Sequence, residues 1–142
     1  MSATQHDLII SADRVFCADT GIDGPGAVAV GDGRITASGP DVSGPAGETL
    51  DFPGCLLVPG LVDLHTHPAP ASWRFGINAD AEILPRGTTT VLSQGDAGAA
   101  TWSTYRETII DRSRTRVRLA ISPAVKGEYE DRGSLINLDE VD

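Results

Sequence analysis

The sequence predicts an α/β protein in two parts: a small β unit over residues 1–58, then the opening of a parallel βα array over residues 59–142. Three observations predict it. The first fifty residues hold short β-prone runs broken by Gly, Pro and Asp, with no helical stretch of ten residues. After Pro59, strand-like and helix-like segments alternate, the pattern of parallel βα units. A chain of 142 residues is also long enough for a core, since ~150 residues bury roughly 68–70% of their unfolded surface.

In chain order, Leu8, Ile10, Val15 and Ala18 mark the first strand region. Ala27-Val28-Ala29-Val30, Gly31-Asp32-Gly33 and Arg34-Ile35-Thr36-Ala37 read as a hairpin, two β-prone runs around a Gly/Asp turn. Gly39-Pro40 and Ser43-Gly44-Pro45 punctuate a loop, and Glu48 to Phe52 reads as another short strand of an antiparallel unit. Leu61-Val62-Asp63-Leu64 is a compact apolar run, the type expected of a strand covered on both faces. Asn78 to Leu84 reads as a short helix with Asn78 as its N-cap, ended by Pro85-Arg86-Gly87. Thr88 to Leu92 is β-branched and predicts a second strand. Thr101 to Ser113 is the clearest helix, with Thr101 at its N-cap and Trp102, Tyr105 and Ile109 at helical spacing. Val117, Leu119 and Ile121 alternate as a third strand, and Asn137 to Asp142 reads as the start of another helix.

Composition narrows the function classes. The net charge is −9, with −7 carried by residues 1–71 and −2 by residues 72–142. An acidic chain without a basic stripe is a poor nucleic-acid binder, because phosphate neutralisation supplies most of that affinity. It is also repelled by anionic membrane surfaces. No apolar run approaches the ~20 residues of a membrane span, and the first residues lack a charged and then apolar leader. Cys17 and Cys55 form no CxxC and read as small hydrophobes in a reducing, cytoplasmic setting.

The chemistry is concentrated in Pro59-Gly60-Leu61-Val62-Asp63-Leu64-His65-Thr66-His67-Pro68. Side chains alternate along a strand, so His65 and His67 share a face, ~6.6 Å apart at ~3.3 Å per residue. Two imidazoles at that spacing can converge on one metal. Pro68 holds His67 extended and ends the ladder, which puts the pair at the carboxyl end of the strand, where parallel α/β folds build their sites. Asp63 lies on the same face, one step deeper. Asp96 ends the second strand, where it either lines a substrate pocket or caps an Asp-Ala-Gly turn. Arg112, Arg114, Arg116 and Arg118 read either as an anionic-substrate patch or, the favoured reading, as solvent-facing charges at a helix end and strand edge, and Lys126 reads as a solvated loop residue.

With these motifs the chain resembles the N-terminal portion of the amidohydrolase superfamily, of the dihydroorotase-like and deacetylase-like kind. Asp7 to Asp19 is similar to the opening strand of that family, and Val58 to Pro68 to its first barrel strand with the HxH metal motif. Gly87-Thr88-Thr89-Thr90-Val91 is similar to its GxTTV second strand, and Ser93 to Gly98 to the loop that follows. The resemblance implies a β-sandwich built from both chain ends, joined to a (β/α)8 metallo-hydrolase barrel. It implies one or two divalent metals, most often zinc, that generate a hydroxide nucleophile and polarise the carbonyl of an amide or cyclic imide-like bond. Further ligands are implied from a carboxylated lysine or a glutamate on the fourth strand and histidines on the fifth and sixth. An aspartate on the eighth strand is the implied general acid/base.

The inventory of the chain is shorter than that list. No histidine follows His67, His6 lies in the N-terminal segment, and Lys126 comes one strand too early to bridge metals. A barrel of this type needs ~250 residues, 200 at the least. Residues 1–58 are therefore expected to be a β-sandwich portion, and residues 59–142 the first three or so βα units of an incomplete barrel. His65 and His67 are expected to be metal ligands, and Asp96 a substrate-binding candidate. The expected activity is hydrolysis of a C–N bond in a small molecule, cyclic amide or N-acyl. The missing barrel half would be supplied in cis or trans, and residues 1–142 alone would be inactive. Two other readings are a non-catalytic remnant or assembly module that pairs with another chain or with itself, and an unrelated α/β binding protein with a chance HxH.

Overall fold

The computed structural model describes residues 6–70, 76–128, 139 and 141. The chain divides into two compact units, Met1–Pro59 and Gly60–Asp142.

The first unit contains β1 (His6–Cys17), β2 (Ile22–Gly31), β3 (Arg34–Gly39) and β4 (Ala46–Leu57), arranged as one sheet in the order β3-β2-β1-β4. The β2–β3 hairpin forms where the sequence places it. Asp32 (φ 52°) and Gly33 (φ 69°) are its two turn residues. A type I′ turn needs positive φ at both positions, which Asp tolerates and Gly adopts freely. The Asp32 N–H donates to Asp7 Oδ2 at 2.7 Å, tying the turn back to β1. Ile9, Ala27 and Ala29 form the buried cluster, with Val42 and Ala46 packed against it.

This sheet is mixed, where an antiparallel unit is expected. β4 pairs parallel with β1, from His6↔Ala46 to Val15↔Leu57. The loop over residues 40–45 carries the chain from edge strand β3 to the far side of β1, so it acts as a crossover and not as a hairpin. β4 is also longer than the expected Glu48–Phe52 because it continues through Pro53-Gly54. The register steps there, from Ala12↔Phe52 to Arg14↔Leu56, and Asp13 Oδ2 accepts the Gly54 N–H at 2.8 Å. His6, placed in a loose terminal segment by the sequence reading, begins β1 and pairs with Ala46. Cys17 and Cys55 are free thiols, and Cys55 is exposed and not packed as a small hydrophobe.

The second unit is the expected βα array: β5 (Leu61–Thr66), α1 (Ala79–Glu82), β6 (Thr88–Gln94), α2 (Trp102–Thr108) and β7 (Arg116–Ala120). The three strands form one parallel sheet in the order β5-β6-β7. Asn78 caps α1 as its residue type demands, its side chain accepting from the Asp80 and Ala81 N–H groups. A 3₁₀ turn over Leu84–Arg86 follows, closed by Gly87 at φ 91°. Helix α2 is shorter than the expected span because a 3₁₀ turn over Ile110–Arg112 finishes it. Thr101 precedes α2 in helical conformation and does not cap it; its hydroxyl donates to Lys126 O at 3.0 Å. The core gathers Ala69, Val91, Ala97, Tyr105 and Val117, with Ile83, Ile109, Ile110 and Leu119 against them.

Two expectations fail at the edges of this unit. Leu61, Val62 and Leu64 are exposed and not covered on both faces, because among the described elements β5 packs chiefly against its neighbour β6. Ile121 lies past the end of β7 and is exposed. Arg112, Arg114, Arg116, Arg118 and Lys126 are exposed as expected. The helix expected over Asn137–Asp142 lies largely outside the described residues. Among the described residues no helix is long and apolar enough to cross a membrane.

Asp80 locks α1 to the start of β7. Its carboxylate accepts from the Arg114 N–H at 2.8 Å, and from the Thr115 N–H and hydroxyl at 2.7 Å each. Burial pushes this carboxyl up, but those donors outweigh it and hold the group below its ordinary value. A depressed carboxyl stabilises the fold above its unfolded pKa, and that contribution disappears as pH falls through the folded value. Asp80→Ala is expected to cost about 1.5–3 kcal/mol at neutral pH, the range for hydrogen bonds to a charged group. The gap from the parent protein should narrow below about pH 4, measured by urea unfolding at pH 7 and pH 3.

Candidate metal centre

Parallel strands deliver their carboxyl ends to one edge of the sheet, and the histidine motif arrives there with β5. His65 and His67 straddle Thr66, with ring centroids 5.6 Å apart and planes inclined at 72°. The alternation that places them on one side is that of any extended chain. Asp63, one step deeper, bonds to the backbone of the motif. Its Oδ1 accepts the His65 N–H at 2.9 Å, which fixes the backbone at the strand end. That N–H holds the Asp63 carboxyl below its ordinary value.

The next strand supplies the third group. His67 Nδ1 lies 2.5 Å from Asp96 Oδ1, across the ends of β5 and β6. The Asp96 side chain has no exposed surface, while that of His67 keeps 21%. On its other side Asp96 Oδ2 accepts the Tyr105 hydroxyl at 3.4 Å, from the buried face of α2. Burial, with the Asp96 charge working the same way, pushes the Tyr105 phenol well above its ordinary value, so it stays a donor. Asp96 thus sits behind His67, between an imidazole and a phenol. Gln94 completes the junction, its side-chain amide donating to Leu64 O at 2.9 Å.

The loops after β6 and β7 are sewn together above the sheet. Gly95 N–H donates to Ala120 O, Ser122 N–H to Ala97 O, Ala100 N–H to Val125 O, and Glu128 N–H to Gly95 O, all at 2.8–2.9 Å. This requires two close backbone approaches. A Cβ on Gly98 would lie 1.8 Å from Ala124 O, and one on Gly127 would lie 2.7 Å from Ala97 Cα. Beside the stitched loops is a recess of about 270 Å³, lined by His65, Gln94, Gly95, Ala120, Ile121, Ser122, Pro123 and Glu128.

Sequence reasoning selects His65, His67 and Asp96, and the structure brings His67 and Asp96 into contact with His65 alongside. It passes over Tyr105, which reads as an ordinary core position on α2. It also passes over Gln94, whose signal is a polar amide closing a β-branched strand. Glu128 carries no sequence signal, because only the loop fold brings it to the recess.

The residues present fit part of a metal centre. Two imidazoles on one face, one of them held at Nδ1 by a carboxylate, are the donor set and support that metal-ligating histidines have. Catalytic zinc sites normally have three protein ligands. Among the described residues no group of three His, Cys, Asp or Glu is placed to hold a metal.

Comparison with known proteins extends this picture. No family model matches the chain. It is 39% identical over 95 residues to a deacetylase of Agrobacterium fabrum, covering 62% of this chain and 22% of the relative. It is 40% identical over 60 residues to a dihydroorotase of Syntrophotalea carbinolica, covering 42% of this chain and 14% of the relative. A solved dihydroorotase superposes with a TM-score of 0.83 at 24% identity, over 95% of this chain and 36% of that one. An N-acyl-D-glutamate deacylase from Bordetella bronchiseptica, solved with zinc and a phosphonate mimic of the tetrahedral intermediate, superposes with a TM-score of 0.55 at 21% identity. That match spans 89% of this chain and 30% of the deacylase. The chain therefore spans 22% and 14% of the length of these two curated relatives, and 36% and 30% of the two solved ones. A small β unit followed by parallel βα units is the architecture that the chain shares with the matched part of these solved structures. These matches support a kinship of the chain with the N-terminal portion of amidohydrolase-superfamily enzymes.

The stitched loops give a direct test of what keeps the strand ends in place. Gly98→Ala is expected to destabilise by about 1–3 kcal/mol, as overpacking does. Faster amide hydrogen exchange should follow at Ala100, Ser122 and Glu128, with little change in β1 to β4.

Proposed function

We propose that this chain is the N-terminal part of a metal-dependent hydrolase that cleaves a C–N bond, cyclic amide or N-acyl, in a small molecule. In this reading residues 1–58 are the β-sandwich portion, residues 59–142 open the barrel, and His65 and His67 supply two ligands of a divalent metal, zinc first. The observation that carries it is the pair of imidazoles at the carboxyl end of β5, one held by a buried carboxylate. The kinship with deacetylases and dihydroorotases supports the bond type, and the zinc of the superposed deacylase supports the metal.

When bound, such a metal supplies Lewis acidity, polarising a carbonyl and making water a nucleophile near neutral pH. The chain's own residues do the positioning. His67 would meet the metal through Nε2, its Nδ1 being engaged by Asp96, and His65 would meet it from the same face. Asp63 and Gln94 hold the strand ends that carry both rings. The recess beside His65 is where a small substrate would approach. The remaining ligands and the general acid/base would come from the barrel segments that the matched relatives have and this chain does not span, in cis or trans. The net charge of −9 argues against a nucleic-acid substrate, and the two unpaired cysteines suit a cytoplasmic setting.

The exposed Leu61, Val62 and Leu64 favour a second reading, a non-catalytic assembly module whose outer strand pairs with another chain or a second copy. The two readings separate on metal. With two histidine ligands, the 142-residue chain should bind zinc weakly and below one equivalent. His65→Asn and His67→Asn should each remove most of that binding, measured by metal analysis after dialysis. Tight one-to-one zinc would show that the ligand count is wrong, and zinc retention unchanged by both substitutions would exclude the metal reading.

A further inference from the structure

We infer that Asp96 and Tyr105 form a positioning pair that sets the tautomer and ring orientation of His67, and so determines which nitrogen a metal meets. This rests on the reading of His67 as a ligand and assigns roles to two residues that are not themselves ligands. The observations are independent of one another. Asp96 Oδ1 is 2.5 Å from His67 Nδ1, closer than the ~2.7–2.9 Å usual for charge-assisted N–H···O pairs. The Asp96 side chain is wholly buried, so it neither lines the recess nor reaches solvent. Its second oxygen takes the hydroxyl of Tyr105, itself in the core cluster.

The chemistry of these groups gives the direction. A carboxylate accepts and cannot donate, so the short contact assigns the ring proton to Nδ1. A neutral imidazole with its proton on Nδ1 carries its lone pair at Nε2. The Tyr105 hydroxyl reaches the second oxygen of Asp96 at 3.4 Å, a long contact that restrains the rotation of the carboxylate weakly. The chain of contact runs from α2 through the end of β6 to the end of β5, so packing of the helix governs the orientation of the imidazole. A buried carboxylate is costly unless its oxygens are satisfied, and the imidazole and phenol meet that need together.

The decisive measurement is the long-range ¹H–¹⁵N spectrum of the histidine rings in the 142-residue chain, with Zn²⁺ titrated afterwards. In the parent protein His67 should carry its proton on Nδ1, whereas His6 and His65 should show the ordinary mixture dominated by the Nε2–H form. Asp96→Asn should shift His67 toward the Nε2–H form and weaken Zn²⁺ binding about 10–100-fold, the range for loss of a supporting group behind a ligand. Tyr105→Phe keeps the ring in the core and removes only the hydroxyl, so it should give a smaller loss of the same sign. Asp96→Glu should recover part of the Nδ1–H population. A parent spectrum with His67 in the Nε2–H form overturns the inference without any variant. So does Zn²⁺ binding that falls in His65→Asn and His67→Asn but is unchanged in Asp96→Asn. If neither histidine variant alters Zn²⁺ binding, the ligand reading fails, while the tautomer shift still decides whether Asp96 governs His67.

Discussion

Strands β5, β6 and β7 run parallel, and a parallel pair cannot be closed by a tight turn, so the chain must cross back over the sheet between strands. Two consequences follow from that one constraint. The crossovers carry α1 and α2 onto the sheet and create the core of Val91, Val117, Tyr105, Ala69 and Ala97. All three strands also finish at the same edge, where residues far apart in sequence become neighbours. His67 and Asp96 are separated by 29 positions and meet at 2.5 Å because β5 and β6 end side by side. The glycine-dependent stitching of the following loops then closes that edge on the side of β7.

The buried carboxylate at this edge is hard to explain as a contribution to stability. Removing a charge from water costs several kcal/mol even after relaxation, and an apolar residue of similar volume often serves the fold as well or better. Asp96 is tolerated because both of its oxygens have partners, and those partners are chemically informative. One is a histidine on the exposed side of the sheet, beside a second histidine. The other is a phenol kept protonated by burial. Asp80 makes a useful contrast. Its carboxylate accepts only from a backbone and a threonine on its own unit, and its work is to hold α1 to β7.

Where local chemistry decides the outcome, the sequence is legible. Asp32-Gly33 dictates a turn, Asn78 caps a helix, Gly87 ends one, and the spacing of His65 and His67 puts both on one face. Each is settled within a few residues. What is not legible depends on distant partners. The parallel pairing of β4 with β1 is decided by which side of the sheet the 40–45 loop takes, and composition does not encode that side. Pro53 and Gly54 read as a strand end, yet the strand passes through them on a register shift that Asp13 supports. The apolar run Leu61, Val62 and Leu64 reads correctly as a strand and incorrectly as a covered one, because the pattern reports what the strand is suited to bury. At the site, Asp96 is visible as a residue at a strand end, but its partnership with Tyr105 emerges only when α2 packs on the sheet.

The central claim is that His65 and His67 are two ligands of one divalent metal. X-ray absorption at the zinc edge, on the 142-residue chain loaded at substoichiometric Zn²⁺, tests it most directly. The account predicts two imidazole nitrogens at about 2.0–2.1 Å, with their characteristic multiple scattering, and oxygen ligands completing the shell. A shell without imidazole scattering, or one carrying sulfur at about 2.3 Å from the free cysteines, would contradict it.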